Sequence, residues 1–260
     1  MKGFFHRLRP YIREHRAVFA VYVVLRLVVL ACMVLSAADG NWENVFVCLL
    51  VLALFLVPSF LSERLEIEFP SLLQIIILLF IFAAEILGEL GNYYIQYRHW
   101  DTLLHSTWGF LCAAIGFSLV DILNRDNRTK LSLSPLYLSI AAFCFSMTIG
   151  VFWEFFEFFV DTVLGYDMQK DTVIHAFRSV MLDPTAGNIP VLVEGITDVA
   201  VNGESLGVGG YLDIGLYDTM EDLFINFVGA LLFSVVGFID ARREGEGWLT
   251  RQLVPKLRGK

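Results

Sequence analysis

Four cysteines in 260 residues (Cys32, Cys48, Cys112 and Cys144) all fall inside apolar runs, and no two of them stand in a CxxC spacing. That excludes a disulfide framework and a thiolate metal site, and leaves the cysteines as small packing residues. The five histidines form no HExxH pair, so a zinc-protease helix is excluded as well. Basic residues are scarce: 19 Lys and Arg stand against 27 Asp and Glu, a formal net charge of -8, and nucleic acid is not an expected partner. No internal repeat is visible, so the inverted-repeat pattern of many transporters is missing.

What the chain has instead is apolar length. It is 57% hydrophobic, with a mean hydropathy of +0.64. The long runs predict an all-α membrane protein, a bundle of about six transmembrane helices with the lipid bilayer as its surroundings. The runs cover about 17–38, 44–61, 70–90 (opened by Pro70), 101–124, 134–161 and 218–240. Ser36-Ala37-Ala38 has the look of a signal-peptidase site, but the run before it exceeds a typical signal core and reads as an uncleaved first helix. Arg26 inside that run either pairs with a buried carboxylate or snorkels to the interface. Residues 1–240 read as one polytopic membrane domain and 241–260 as a basic tail.

The bases orient the bundle. Lys2, Arg7, Arg9, Arg13, Arg16, Arg64, Arg125, Arg128, Lys130 and the tail residues Arg242, Arg243, Arg251, Lys256, Arg258 and Lys260 fall on one side of a six-helix alternation. Only Arg98, Lys170 and Arg178 fall on the other, so the positive-inside rule places both termini in the cytoplasm. The one large connection, 162–217, is then extracytoplasmic. Apolar residues at 173, 174, 177, 180 and 181 predict a short amphipathic helix over Asp171–Leu182. Asn202-Gly203 predicts a hairpin within Ile196–Val208. Acids outnumber bases in this segment, which favours cations over anions there.

The chemistry concentrates in the stretch Gly150–Asp161. Glu154, Glu157 and Asp161 share one helix face there, among five phenylalanines. Asp101 and His105 stand four apart at the start of the fourth run, and Asp218, Asp222 and Asn226 repeat that spacing at the start of the sixth. Glu85 and Glu89 repeat it at the end of the third. Glu85, His105, Glu154 and Asp222 would lie roughly 6–10 Å below the helix ends. Ionisable groups at that depth are expensive and usually face protein. The bland reading of Asp101, Asp161 and Asp218 is that they cap or flank helix ends in the headgroup region. Trp100, Trp108, Tyr93, Tyr94 and Tyr97 read as interface anchors.

These motifs resemble a family. His99-Trp100-Asp101, His105 and Gly109-Phe110, then Phe152-Trp153-Glu154 with Glu157-Phe158, then Asp167-Met168-Gln169, then Gly215-Leu216 with Asp218-Thr219-Met220 and Asp222-Leu223, are similar to YjdF-type bacterial membrane proteins over roughly 80–240. A fainter similarity to VanZ-like proteins lies in the aspartate–histidine pair and the later glutamates. The resemblance implies a bacterial cell membrane location and singles out the same polar residues, but names no substrate.

Three functions fit these observations. One is a divalent-metal-assisted enzyme acting on a lipid or polyprenyl phosphate, with Asp101, His105, Asp218 and Asp222 as metal ligands and Glu154 or Glu157 as the base. Glu85, Glu89, Asp161 and Asn226 would be further polar members. Its oxygen-rich donors suit Mg²⁺ or Mn²⁺ ahead of Zn²⁺. The second is a cation or proton-coupled transporter, and the third a structural or partner-binding membrane protein.

Overall fold

A computed structural model describes residues 15–125, 133–243 and 247–257. Lys2, Arg7, Arg9, Arg13, Arg128, Lys130, Arg258 and Lys260, which contribute to the charge asymmetry, lie outside the described residues.

The protein is mostly helical. Among the described residues six helices are long and apolar enough to cross a membrane: Arg16–Ala38, Trp42–Arg64, Ser71–Leu90, Trp100–Asn124, Pro135–Leu164 and Leu216–Arg242. Each coincides with one of the apolar runs, because a hydrocarbon core of about 30 Å needs about 20 apolar residues of helix. Their starts follow local chemistry. Asn41 caps the second helix by accepting from the Asn44 amide at 3.0 Å, and Pro70 stands at the N-cap of the third. The second span is interrupted between Trp42–Leu54 and Val57–Arg64, next to Pro58.

Two spans end in an unexpected winding. The third passes from α-helix (Ser71–Ile81) into a π-helix over Phe82–Leu90, and the fifth from α-helix (Pro135–Phe159) into one over Val160–Leu164. A π segment re-aims the side chains it carries and is often found at functional positions. The first holds Glu85 and Glu89, the second Asp161.

The chain divides into two compact units, Met1–Ile149 with Ile225–Lys260, and Gly150–Phe224, the division falling within the fifth and sixth helices. In the first unit, one core cluster gathers Leu73, Ala113, Ala114, Ala142, Ala230 and Phe233, and another Val29, Cys48, Val51 and Phe55. Phe233 meets Phe110 and Phe117 edge-on, with centroids 5.2 and 6.0 Å away. The fourth and sixth helices cross at two glycines: a Cβ on Gly109 would come within 2.3 Å of the Asn226 carbonyl oxygen, and one on Gly229 within 2.1 Å of that of Ser106. Small residues at such crossings let membrane helices approach backbone to backbone. Arg26 lies over the Tyr22 ring at 4.3 Å, and its buried Nε has no hydrogen-bond partner among the described residues. Among the described residues no carboxylate pairs with Arg26, one of its two expected alternatives, and the Tyr22 ring takes that place.

The second unit corrects one expectation. Asp171–Leu182 is not an amphipathic helix; it forms strands β2 (Val173–Ile174) and β3 (Ala176–Ser179) and a 3-10 turn over Val180–Leu182. β3 pairs antiparallel with β4 (Val191–Glu194), and β2 with β7 (Tyr211–Leu212). The apolar positions fit both periods. Burial alternates along β3, and the β-branched Val191 and Val193 supply the partner strand that decides the outcome. Between these lies the hairpin of β5 (Ala200–Val201) and β6 (Glu204–Ser205), with Asn202 and Gly203 both at positive φ, 55° and 88°, as its two-residue turn requires.

Candidate functional site

In the second unit the fifth helix carries buried residues three apart. Glu154, Glu157 and Val160 are buried while Phe152, Phe155, Phe156, Phe158 and Phe159 are exposed. The helix therefore turns its phenylalanines outward, as a lipid-facing surface requires, and its two glutamates inward. Asp222, in the second turn of the sixth helix, meets them. Glu154, Glu157 and Asp222 are only 5%, 6% and 3% exposed, and one carboxylate oxygen of each lies within 4.8 Å of the others. Glu157 Oε1 also accepts a hydrogen bond from Trp153 Nε1 at 2.8 Å, one turn back on the same helix.

Three buried carboxylates this close repel one another when ionised. Such a cluster is made tolerable by a proton taken up, by a counter-cation, or by donors beside it. The donor set fits a hard divalent ion. Oxygens on opposite sides of Mg²⁺ stand about 4.1 Å apart, and around Ca²⁺ about 4.6–5.2 Å. A spread of at most 4.8 Å thus needs little or no inward movement.

A second group of acids in the same unit behaves differently. Asp161 accepts from the backbone amides of Met168 at 2.6 Å and Gln169 at 2.8 Å, one to each oxygen. Gly165, at φ +73°, ends the π-helix and turns the chain back to make this possible. Asp218 Oδ2 accepts from the Lys170 amide at 2.9 Å. Asp213 accepts from Thr172 N at 2.7 Å through one oxygen and from Tyr217 N at 2.6 Å through the other. The Gln169 side-chain amide donates to Thr219 Oγ1. Residues 168–172 are thereby strapped to the ends of the fifth and sixth helices. Asp213 was not among the sequence candidates; its signal is an acid four residues ahead of an orphan amide in the first turn of a helix. Amid these charges, burial first, and then Asp167, Asp213 and Asp161, push the Asp171 carboxyl above its ordinary range.

The first unit holds the remaining candidates. Asp101 and His105, one turn apart on the fourth helix, approach to 3.6 Å and are half-buried. Glu85 is half-buried and Glu89 exposed. Asn226 is 1% exposed; its Nδ2 faces Met147 Sδ at 3.5 Å, and its Oδ1 has no hydrogen-bond partner among the described residues. Trp108 stacks on Phe80 and Trp100 meets Tyr93 edge-on. Of the sequence candidates, then, the structure gathers Glu154, Glu157 and Asp222, pairs Asp101 with His105, and engages Asp161 and Asp218 with backbone amides.

No curated protein and no solved structure matches the chain. The profile of the family described as predicted membrane protein (DUF2238) matches residues 20–243, a stretch that contains the carboxylate cluster, the aspartate strap and nearly all of the six spans. By that match the chain belongs to the DUF2238 family of predicted membrane proteins.

Proposed function

We propose that Glu154, Glu157 and Asp222 hold a divalent cation, Mg²⁺ or Mn²⁺ ahead of Zn²⁺, and that the protein acts with it on a lipid or polyprenyl phosphate. The observation that carries this reading is the convergence of three buried carboxylates within 4.8 Å on membrane-spanning helices. Nothing in membrane insertion calls for it, and each ionised carboxylate there raises the cost of ionising the others, which a divalent cation would offset. All three donors are hard oxygens, which favours Mg²⁺ or Mn²⁺ over Zn²⁺. A bound divalent ion supplies charge neutralisation at phosphoryl oxygens.

The protein's own groups would do the rest. Trp153, donating to Glu157 Oε1, fixes that carboxylate's rotamer. Glu154 or Glu157, through the oxygen it does not offer to the ion, would accept the proton of an attacking water. The Lys and Arg asymmetry supports cytoplasmic termini, which would put this chemistry at the far face of the cell membrane. The four-motif likeness to YjdF-type proteins supports a bacterial setting and draws attention to the same glutamates and aspartates.

The test is phosphate release from a polyprenyl phosphate by purified protein with Mn²⁺, with EDTA, and with Glu154→Gln. Release that needs both the metal and Glu154 supports the proposal. No release from polyprenyl phosphate or phosphatidic acid, or release unchanged in Glu154→Gln, contradicts it.

A further inference from the structure

In the second unit, the turn that closes the β3–β4 hairpin (residues 180–190) presents apolar side chains outward. Met181 is 89% exposed, Leu182 50% and Ile189 58%, and Val180 and Leu192 flank them, also exposed. Between Arg178 and Glu194 the one formally charged side chain is Asp183, and it is turned inward. Its oxygens accept from the Thr185 amide and hydroxyl at 2.9 and 2.7 Å, and from the Gly187 and Ile189 amides at 2.8 and 3.0 Å. The Met181 amide donates to Ser179 Oγ at 3.1 Å, and that of Asp183 to the Val180 carbonyl at 3.1 Å. Pro184 and Pro190 have no amide to satisfy. The amides of Met181, Asp183, Thr185, Gly187 and Ile189 are thus satisfied within the turn, as a segment leaving water needs. In the first unit, by contrast, the pair β1 (Ile67–Glu68) with β8 (Lys256–Leu257) sets opposite charges, Glu68 and Lys256, across one rung.

An apolar patch of this kind marks an interaction surface. With so many amides turned inward, it offers a partner protein few polar groups to read. A bilayer asks for none, and a bilayer is in reach. β2 leads into the hairpin and pairs with β7, and β7 ends at Leu212, four residues before the sixth helix begins at Leu216. Met181 stands five residues beyond the first hairpin rung at Ala176, at most about 18 Å of chain. The charges are graded to match. Arg178, exposed and opposite Leu192, is the only Lys or Arg between Lys170 and Arg242, and it stands at the base of the apolar turn. Glu194 lies further back, on the rung with Ala176. Apolar tips collared by a base are the pattern of interfacial anchors, the base lying level with lipid phosphates. We propose that this turn anchors the second unit to the membrane surface, with Met181, Leu182 and Ile189 entering the adjacent leaflet and Arg178 among its phosphates.

The experiment is oxidation of Met181 by hydrogen peroxide in the full-length protein, reconstituted in liposomes of phosphatidylcholine and phosphatidylglycerol and read by peptide mass. Peroxide crosses bilayers, so the direction of insertion does not matter. Glu204→Met, at an exposed position of β6, supplies the rate of a methionine in water. Met181 should oxidise at least about tenfold more slowly than that reference. The double variant Leu182→Asp/Ile189→Asp changes two exposed side chains, so it should fold, and it should bring Met181 to within about twofold of the reference. Equal rates in the unaltered turn, or protection that survives in the double variant, would overturn the anchor. Protection that fades when the protein is diluted about tenfold in lipid would give the cover to a second copy of the chain and overturn the lipid assignment.

Discussion

Two sets of acids in one unit differ in what they face. Asp161, Asp213 and Asp218 face backbone amides, which stabilise the anion and fix its position. Glu154, Glu157 and Asp222 face one another in a buried setting, where the anionic forms destabilise each other. Asp218 and Asp222 lie four residues apart on one helix yet belong to different sets. The density of acids along the chain therefore does not locate a site. What each carboxylate meets does, and the two sets should respond in opposite ways to neutralisation.

The largest difference should come from Glu154→Gln and Asp222→Asn. Without divalent ions each should raise the thermal midpoint, because one repelling charge is gone; about 1 kcal/mol corresponds to roughly 2–4 °C at this chain length. With Mn²⁺ present each should lose the stabilisation expected of the wild type and bind the ion at least about tenfold more weakly, since ligand charge tunes affinity. A variant that gains nothing in EDTA and keeps its Mn²⁺ response would erase the distinction between the two sets.

Asp161→Asn should show the opposite pattern. It leaves Mn²⁺ affinity within about twofold, yet it loosens the strap, because hydrogen bonds to a charged acceptor contribute about 1.5–3 kcal/mol. Hydrogen exchange at the Met168 and Gln169 amides should accelerate about tenfold or more. Asp218→Asn, which loosens the Lys170 amide, should do less at those two amides.

Asp171 sharpens the comparison from within the strap. Its folded pKa is raised, by burial and then by Asp167, Asp213 and Asp161. The folded state thus holds a proton where the unfolded chain has released it. Stability falls as pH rises through that window, and the penalty persists at neutral pH. Asp171→Asn should therefore stabilise slightly at pH 7 and leave stability unchanged at low pH, as paired unfolding curves would show.

The smallest effect concerns Asp183, a half-buried acid whose oxygens accept from the Thr185 hydroxyl and from the amides of Ile189, Thr185 and Gly187. These bonds, the Thr185 hydroxyl first, hold its pKa down at about 2. Here the folded pKa lies below the unfolded one, so the contribution is present above about pH 4 and is lost as pH falls through about 2. Exchange protection at Gly187 and Ile189 should fade over that interval and nowhere above it.

The sequence made some of this visible and hid the rest for physical reasons. The six spans were legible because bilayer thickness imposes a length that only long apolar runs satisfy. The inward turn of Glu154 and Glu157 was legible because three-residue spacing among phenylalanines leaves the acids one common face. Asn202-Gly203 was legible because its turn needs two positive φ angles. The π segments were not, since the winding at Val160–Leu164 accompanies contacts of Asp161 with amides seven and eight residues further on. The strands over 173–179 were hidden by an apolar spacing that also suits a helix; the partner β4 settles it. The strap was hidden because its donors are backbone amides, which leave no mark in residue identity.

The central claim is that the buried set, and not the strap, holds a divalent ion. Electron paramagnetic resonance of Mn²⁺ titrated into purified wild type, Glu154→Gln, Asp222→Asn and Asp161→Asn tests it directly. The expected result is one saturable ion per chain in the wild type and in Asp161→Asn, with that ion lost or at least about tenfold weaker in Glu154→Gln and Asp222→Asn. An ion that survives both of those substitutions and disappears with Asp161→Asn, or no bound ion in the wild type, would contradict it.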